Sequence, residues 1–111
     1  MTSRKLVAAS TVALLMSVLA RGESYGYAII SRVRELSDGD LQWTEGMVYP
    51  VLHRLEKKGW IASDWRESET GRQRRYYRLT DAGRAALAVE RDEWCRIHDT
   101  LAALWGEAAR A

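Results

Sequence analysis

A chain of 111 residues has room for one hydrophobic core, which excludes two large domains. With 47% apolar and 29% charged side chains, it has the balance of a globular protein rather than of a disordered tail or a disulfide scaffold. Its 17 basic and 15 acidic residues leave a net charge of only +2, so affinity for a polyanion must come from where the charge sits.

Arg4 and Lys5 precede the apolar run LVAASTVALLMSVLA, which has the basic start and small-residue end of a secretory leader. Against that reading, the run is short for a bilayer, carries Ser10, Thr11 and Ser17, and leads directly into another amphipathic segment. Val12, Leu15, Met16 and Leu19 recur at helical spacing, and Val7, Leu14 and Val18 form a second stripe on another side. A buried first helix with two apolar sides is expected, and no membrane association.

Ser24 is placed to cap a second helix, YGYAIISRVREL, in which Ile29, Val33 and Leu36 fall at i, i+4 and i+7. The turn-rich Ser37-Asp38-Gly39-Asp40 follows, and then Leu41 and Trp43 alternate with Gln42 as a very short strand would. Thr44 opens a third helix running to Lys58, with Gly59 just past its end and Lys57 and Lys58 at its negative pole. Pro50 removes one backbone donor there and presses on the carbonyl of Gly46, so a slight bend is expected rather than a break.

From Trp60 the period shortens to two: Ile61, Ser63 and Trp65 on one side, Ala62, Asp64 and Arg66 on the other. A turn over 68–73 then returns the chain as a strand over 74–79, with Tyr77 and Leu79 facing inward. Thr80 caps a last helix from 81 to about 106, with Asp81 against the positive end of its dipole. The expected fold is mostly α with a small β-hairpin: a winged helix-turn-helix over residues 1–79, then a long C-terminal dimerisation helix over 80–111.

In such a fold the third helix reads the major groove of DNA. Val48, Leu52 and Leu55 mark its core side, so Gly46, Pro50, His53, Arg54 and Lys57 face outward, with Thr44 at its start and Tyr49 at the edge. Gly46 permits close backbone approach, Tyr49 and His53 can bond phosphates or base edges, and Arg54 and Lys57 supply charge. A solvated helix face has the same pattern, and the wing distinguishes the two. Residues 43–79 carry eight basic and five acidic side chains, whereas 80–111 carry four and six. Arg72, Arg74 and Arg75 crowd the wing, where an arginine can enter a narrow minor groove. Arg66, Arg75 or Arg78 could instead pair with Asp64 or Glu67 across the hairpin.

The segments SYGYAII, EGMVYPVLHRLEKKGWI and GRQRRYYRLTDAGRAAL resemble those of PadR-type transcriptional regulators of the compact class with one C-terminal helix. The resemblance covers residues 14–105 and rests on Tyr-Gly-Tyr, Gly-x-x-Tyr-Pro and Arg-x-Tyr-Tyr-x-Leu-Thr in that order. It implies a dimeric repressor that leaves its operator when a small molecule binds, with Tyr49, Pro50, His53 and Arg54 on the reading helix and Arg72 on the wing. Met47-Val48 departs from the family's usual threonine and leucine, which removes one hydroxyl from the reading helix.

A dimer is expected from the last helix independently. Leu87, Trp94, Leu101 and Ala108 recur every seven residues, with Ile97 and Leu104 at the intervening positions and Glu90 interrupting the first of them. This seam could pack on the second stripe of a partner's first helix, and a two-fold dimer presents its reading helices roughly 34–36 Å apart, matching a palindromic site on double-stranded DNA. Trp94 reads either as dimer core or, with Trp105, Leu14 and Val18, as the wall of a pocket for a planar aromatic effector. Cys95, His98 and Asp99, with Asp92 one turn before, have helical metal-ligand spacing but sit off the seam and do not close a set of four, so no metal is assigned.

Cys95 is the only cysteine, which fits a reducing cytoplasm and leaves only a bridge between chains formally open. There is no GxGxxG or Walker-type loop, no GxSxG elbow is expected, and His53 and His98 lie far apart, so no catalytic residue, cofactor or enzymatic role is expected. The other functional class compatible with the sequence is a winged helix that holds a protein partner, with its basic face secondary.

Overall fold

The computed structural model describes residues 4–110, with side chains for 10–106. The order is α1 (Arg4–Ala20), β1 (Ser24–Tyr25), α2 (Gly26–Leu36), α3 (Glu45–Lys57), β2 (Ile61–Glu67), β3 (Gln73–Leu79) and α4 (Asp81–Arg110). This is a winged helix-turn-helix with a long C-terminal helix.

The apolar N-terminal run folds as α1, and its Leu15, Met16 and Leu19 are at most 1% exposed. They join Ile29, Ile30 and Val33 of α2, Val48, Val51, Leu52 and Leu55 of α3, and Ile61, Tyr77 and Leu79 of the sheet in one core. Leu14 and Val18 pack at its margin, while Val7 lies outside the described side chains. Among the described residues no helix is long and apolar enough to cross a membrane.

Three local expectations are corrected. Ser24 does not cap α2: it pairs with Tyr77 as part of β1, and Tyr25 takes the cap position without a side-chain bond. The segment 41–43 is not a strand: the sheet has three strands in the order β1-β3-β2, and residues 41–43 pair with none of them. The alternation there still describes burial, since Trp43 is inserted into the core and Leu41 is half-buried. Leu36, expected inside with Ile29 and Val33, ends α2 at 66% exposure.

The start and end of α3 are as expected. Thr44 Oγ1 accepts from the Met47 amide at 3.3 Å, the helix runs unbroken through Pro50, and Lys58 caps its end before Gly59, whose φ is +81°. The hairpin register sets Ile61 opposite Leu79, Ser63 opposite Tyr77 and Trp65 opposite Arg75. Trp65 thus shares the face of Ile61 but lies out along the wing, beyond the core, and is 63% exposed.

Thr80 joins wing to α4. Its Oγ1 accepts from the Gly83 amide at 3.1 Å and donates to the Gly59 carbonyl at 2.5 Å, and its amide donates to the Trp60 carbonyl at 3.0 Å. The first turns of α4 lie on the body of the domain, where Ala86 and Leu87 pack against the core. Beyond them the helix extends away, giving the molecule a length of 59 Å against widths of 29 and 22 Å.

Candidate nucleic-acid interface

Burial of Val48, Val51, Leu52 and Leu55 leaves Glu45, Gly46, Tyr49, Pro50, His53, Arg54 and Lys57 exposed on the opposite side of α3. A Cβ added at Gly46 would meet nothing nearer than Thr44 Oγ1 at 3.9 Å, so another molecule can approach the helix backbone closely here. Among the described residues, no ion pair engages Arg54, Lys57 or Arg72. These three cations stand in solvent, as groups that meet a phosphate chain must.

Tyr49 is placed differently from its neighbours. Its ring leans over the start of α2, against Gly26, and remains 43% exposed. Together with Tyr25, Tyr27, Trp65, Arg72, Arg74 and Arg75 it lines a cleft between the reading helix and the wing.

The wing arginines divide into two groups. Arg72 lies at the turn, where its backbone and Ser68 are hydrogen-bonded and its side chain projects outward. Arg74 stacks over the Tyr25 ring at 4.4 Å and keeps its hydrogen-bonding edge uncommitted to any carboxylate among the described residues. Arg66, by contrast, forms a two-point pair with Glu23 and a 3.0 Å bond to Asp64, and Arg78 approaches Asp64 at 3.6 Å. The hydrogen bond from Arg66 holds the Glu23 carboxyl below its usual range, and the same bonds raise Arg66. Arg75 pairs with Glu56 of α3 at 3.1 Å rather than with Asp64 or Glu67. Burial raises the Tyr77 phenol above its ordinary value, partly offset by the charge of Arg75.

The seam on α4 is exposed beyond Leu87. Trp94 and Leu101 are 37% exposed, Ile97, Leu104 and Trp105 more so, and Ala108 lies outside the described side chains. Glu90, which interrupts the repeat, accepts from the Trp94 indole at 3.3 Å and fixes that ring along the helix. Leu14 and Val18 line a groove between α1 and α2 with Val33, Leu36 and Leu41. Neither Trp94 nor Trp105 lines that groove. Cys95, His98 and Asp99 all point to solvent, and no group of three metal-binding side chains forms among the described residues.

One expectation about the sequence itself is corrected: a G-x-S-x-G string is present. Gly22-Glu23-Ser24-Tyr25-Gly26 has the G-x-S-x-G spacing of a nucleophile elbow. Here Ser24 is a strand residue paired with Tyr77, and among the described hydrogen bonds neither His53 nor His98 reaches it.

Comparison with known proteins agrees with this geometry. The Transcriptional regulator PadR-like family matches over residues 15–89. Transcriptional regulator Rv3488 of Mycobacterium tuberculosis is 48% identical over 58 residues, covering 52% of this chain and 53% of that protein. A transcriptional regulator from Clostridium thermocellum superposes with a TM-score of 0.81 at 30% identity, over 91% of this chain and 95% of the other. A PadR-like regulator from Bacillus cereus shares the fold, with a TM-score of 0.80 at 24% identity over 90% and 95% of the two chains. The matched span takes in the core, the reading helix, the wing and the root of α4, so this chain belongs to the PadR-like family and is a transcriptional regulator, not an enzyme.

Proposed function

We propose that the protein is a cytoplasmic homodimeric repressor that binds a palindromic operator in double-stranded DNA. The observation that carries this reading is the solvent-facing set Arg54, Lys57 and Arg72, cations without carboxylate partners among the described residues, disposed on the reading helix and wing tip. Gly46, Pro50 and His53, with Thr44 and Tyr49 beside them, meet base edges and adjacent phosphates in the major groove, while Arg72 and Arg74 contact the flanking backbone or minor groove.

Residues 1–79 form the DNA-binding unit and 80–111 the dimerisation helix in this reading. The exposed row Trp94, Ile97, Leu101 and Leu104 supports it, as does the apolar α1–α2 groove lined by Leu14 and Val18. A partner's α4 laid toward that groove buries both apolar surfaces and brings Trp94 near Leu14 and Val18 of the other chain. A planar aromatic effector enters between them and changes the spacing of the two reading helices.

Mobility-shift titration on the duplex upstream of the protein's own gene, at two salt concentrations, tests the central claim. Saturable retardation that weakens steeply with salt is expected. Retardation equal to that of an unrelated duplex would instead favour a winged helix that holds a protein partner.

A further inference from the structure

Glu56 lies on the last turn of the reading helix, half-buried, and its carboxylate faces the sheet rather than the groove-facing side where Arg54 and Lys57 stand. Its Oε1 accepts from Arg75 Nη2 at 3.1 Å and its Oε2 accepts from Ser63 Oγ at 2.6 Å. Ser63 Oγ in turn accepts from Arg75 Nε at 2.8 Å. The three side chains, one each from α3, β2 and β3, form a closed triangle in which every member bonds the other two. The Arg75 guanidinium also lies 5.8 Å from the Trp65 ring and 5.9 Å from the Tyr77 ring, which flank it along the wing.

We propose that Glu56 is a positioning residue for DNA recognition: through Arg75 and Ser63 it fixes the wing at one distance from the reading helix, and Arg75 serves as its strut rather than as a phosphate ligand. The inference rests on the DNA-binding reading above and adds a part to it. A winged helix must place its helix and its wing tip on the same duplex at once, so any freedom between them is lost on binding and weakens it. The hairpin's own ladder stiffens the wing internally but does not set its angle to α3. Among the described side-chain bonds, the triangle at Glu56 is what joins the exposed half of the hairpin to α3. It also explains how a carboxylate is tolerated beside a polyanion: its charge is matched by Arg75 and turned away from the duplex.

The sign of one substitution separates strut from ligand. If Arg75 were a phosphate ligand restrained by Glu56, removing the carboxylate would release a cation and strengthen binding. For a strut, Glu56→Ala weakens retardation of the upstream duplex by roughly tenfold, because the wing is no longer preorganised. Its salt dependence stays that of the wild type, because the same phosphates are neutralised in both. Arg75→Ala weakens binding equally, the double variant is no worse than either single one, and Glu56→Gln, which keeps an acceptor for Arg75, recovers part of the affinity. Should Glu56→Ala not fold, the Gln variant carries the comparison at smaller amplitude.

Amide hydrogen exchange over residues 64–76 of the DNA-free protein provides a second arm. Faster exchange there in Glu56→Ala, with the slowest core amides unchanged, is expected. Binding by Glu56→Ala as tight as wild type or tighter, a shallower salt dependence in Arg75→Ala, or unchanged wing exchange would each overturn the proposal. If the wild type itself retards no duplex, the DNA-binding reading falls along with this residue's role in recognition, while the exchange arm still decides whether Glu56 holds the wing.

Discussion

Gly26 and Tyr49 are in contact across the helix-turn-helix: a Cβ on Gly26 would stand 2.6 Å from the Tyr49 hydroxyl and 2.8 Å from the ring carbon that bears it. The first residue of α2 is therefore bare where the reading helix sends an aromatic ring across it. This contact links the Tyr-Gly-Tyr and Gly-x-x-Tyr-Pro strings, which sequence alone presents as separate signals. Gly26→Ala must displace the Tyr49 ring, and because the hydroxyl end of that ring is exposed and can swing aside, the expected cost is about 1 kcal/mol, at the low end of overpacking. In a Tyr49→Ala background the same substitution should cost much less. A double-mutant cycle by urea unfolding measures the difference, and additive costs would show that the contact does not govern the site.

Much of this arrangement was legible in the sequence because local chemistry dictates it. Thr44 and Thr80 cap where their hydroxyls precede helical runs, Gly59 ends α3, and the change of period at Trp60 marks the wing. What could not be read depends on pairing between distant segments. Whether Ser24 caps a helix or joins a ladder is decided by the vacant edge of β3, some fifty residues away in sequence. Likewise, the wing arginines look alike in composition. Only the folded register gives Arg66 to Glu23 and Arg75 to Glu56 while leaving Arg72 in solvent.

Gly83 has a stricter constraint than Gly26. A Cβ there would lie 1.9 Å from the Trp60 carbonyl oxygen, a backbone atom already accepting from the Thr80 amide. Because backbone cannot swing aside as a side chain can, Gly83→Ala must push α4 away from the root of the wing. Destabilisation by about 2–3 kcal/mol or more is expected in thermal or urea unfolding, despite alanine's higher helix propensity. A neutral or stabilising result would show that α4 does not need this close seat.

The division of the arginines predicts different salt dependences. Replacing Arg54, Lys57 or Arg72 by Gln should flatten the slope of log affinity against log salt by about 0.9 for each phosphate left without its cation. Arg66→Gln should leave that slope near wild type, because its guanidinium is occupied by Glu23 and Asp64. Mobility shifts at several salt concentrations measure both. Equal flattening by Arg66 and Arg72 substitutions would mean that the Glu23 pair opens on binding.

Tyr77 sets an alkaline limit. Its folded-state pKa is raised by burial, so folding favours the neutral phenol. That contribution is intact below the unfolded value of about 10 and is lost as pH climbs through the higher folded value. The wild type should therefore lose stability above about pH 10 more steeply than Tyr77→Phe. Urea midpoints of both proteins across that range isolate Tyr77 from every group the two proteins share. Parallel curves would show that the phenol titrates alike in the folded and unfolded chains.

The dimer can be tested through α4 without disturbing the monomer's core. Leu87 is a poor probe because it already packs against that core, whereas Leu101 belongs to the same heptad row and is 37% exposed in one chain. Leu101→Asp places a charge on the seam. If the seam is buried in a dimer, desolvating that carboxylate without a partner disfavours association by several kcal/mol, while an isolated chain simply hydrates it. Analytical ultracentrifugation should then show wild type as a dimer and the variant as a folded monomer with unchanged helical circular dichroism. Operator affinity should fall sharply in the variant, since two half-sites are then bound independently rather than by one preassembled pair. A monomeric wild type, or a variant that stays dimeric, would mean that Trp94, Ile97, Leu101 and Leu104 face something other than a second copy of this chain.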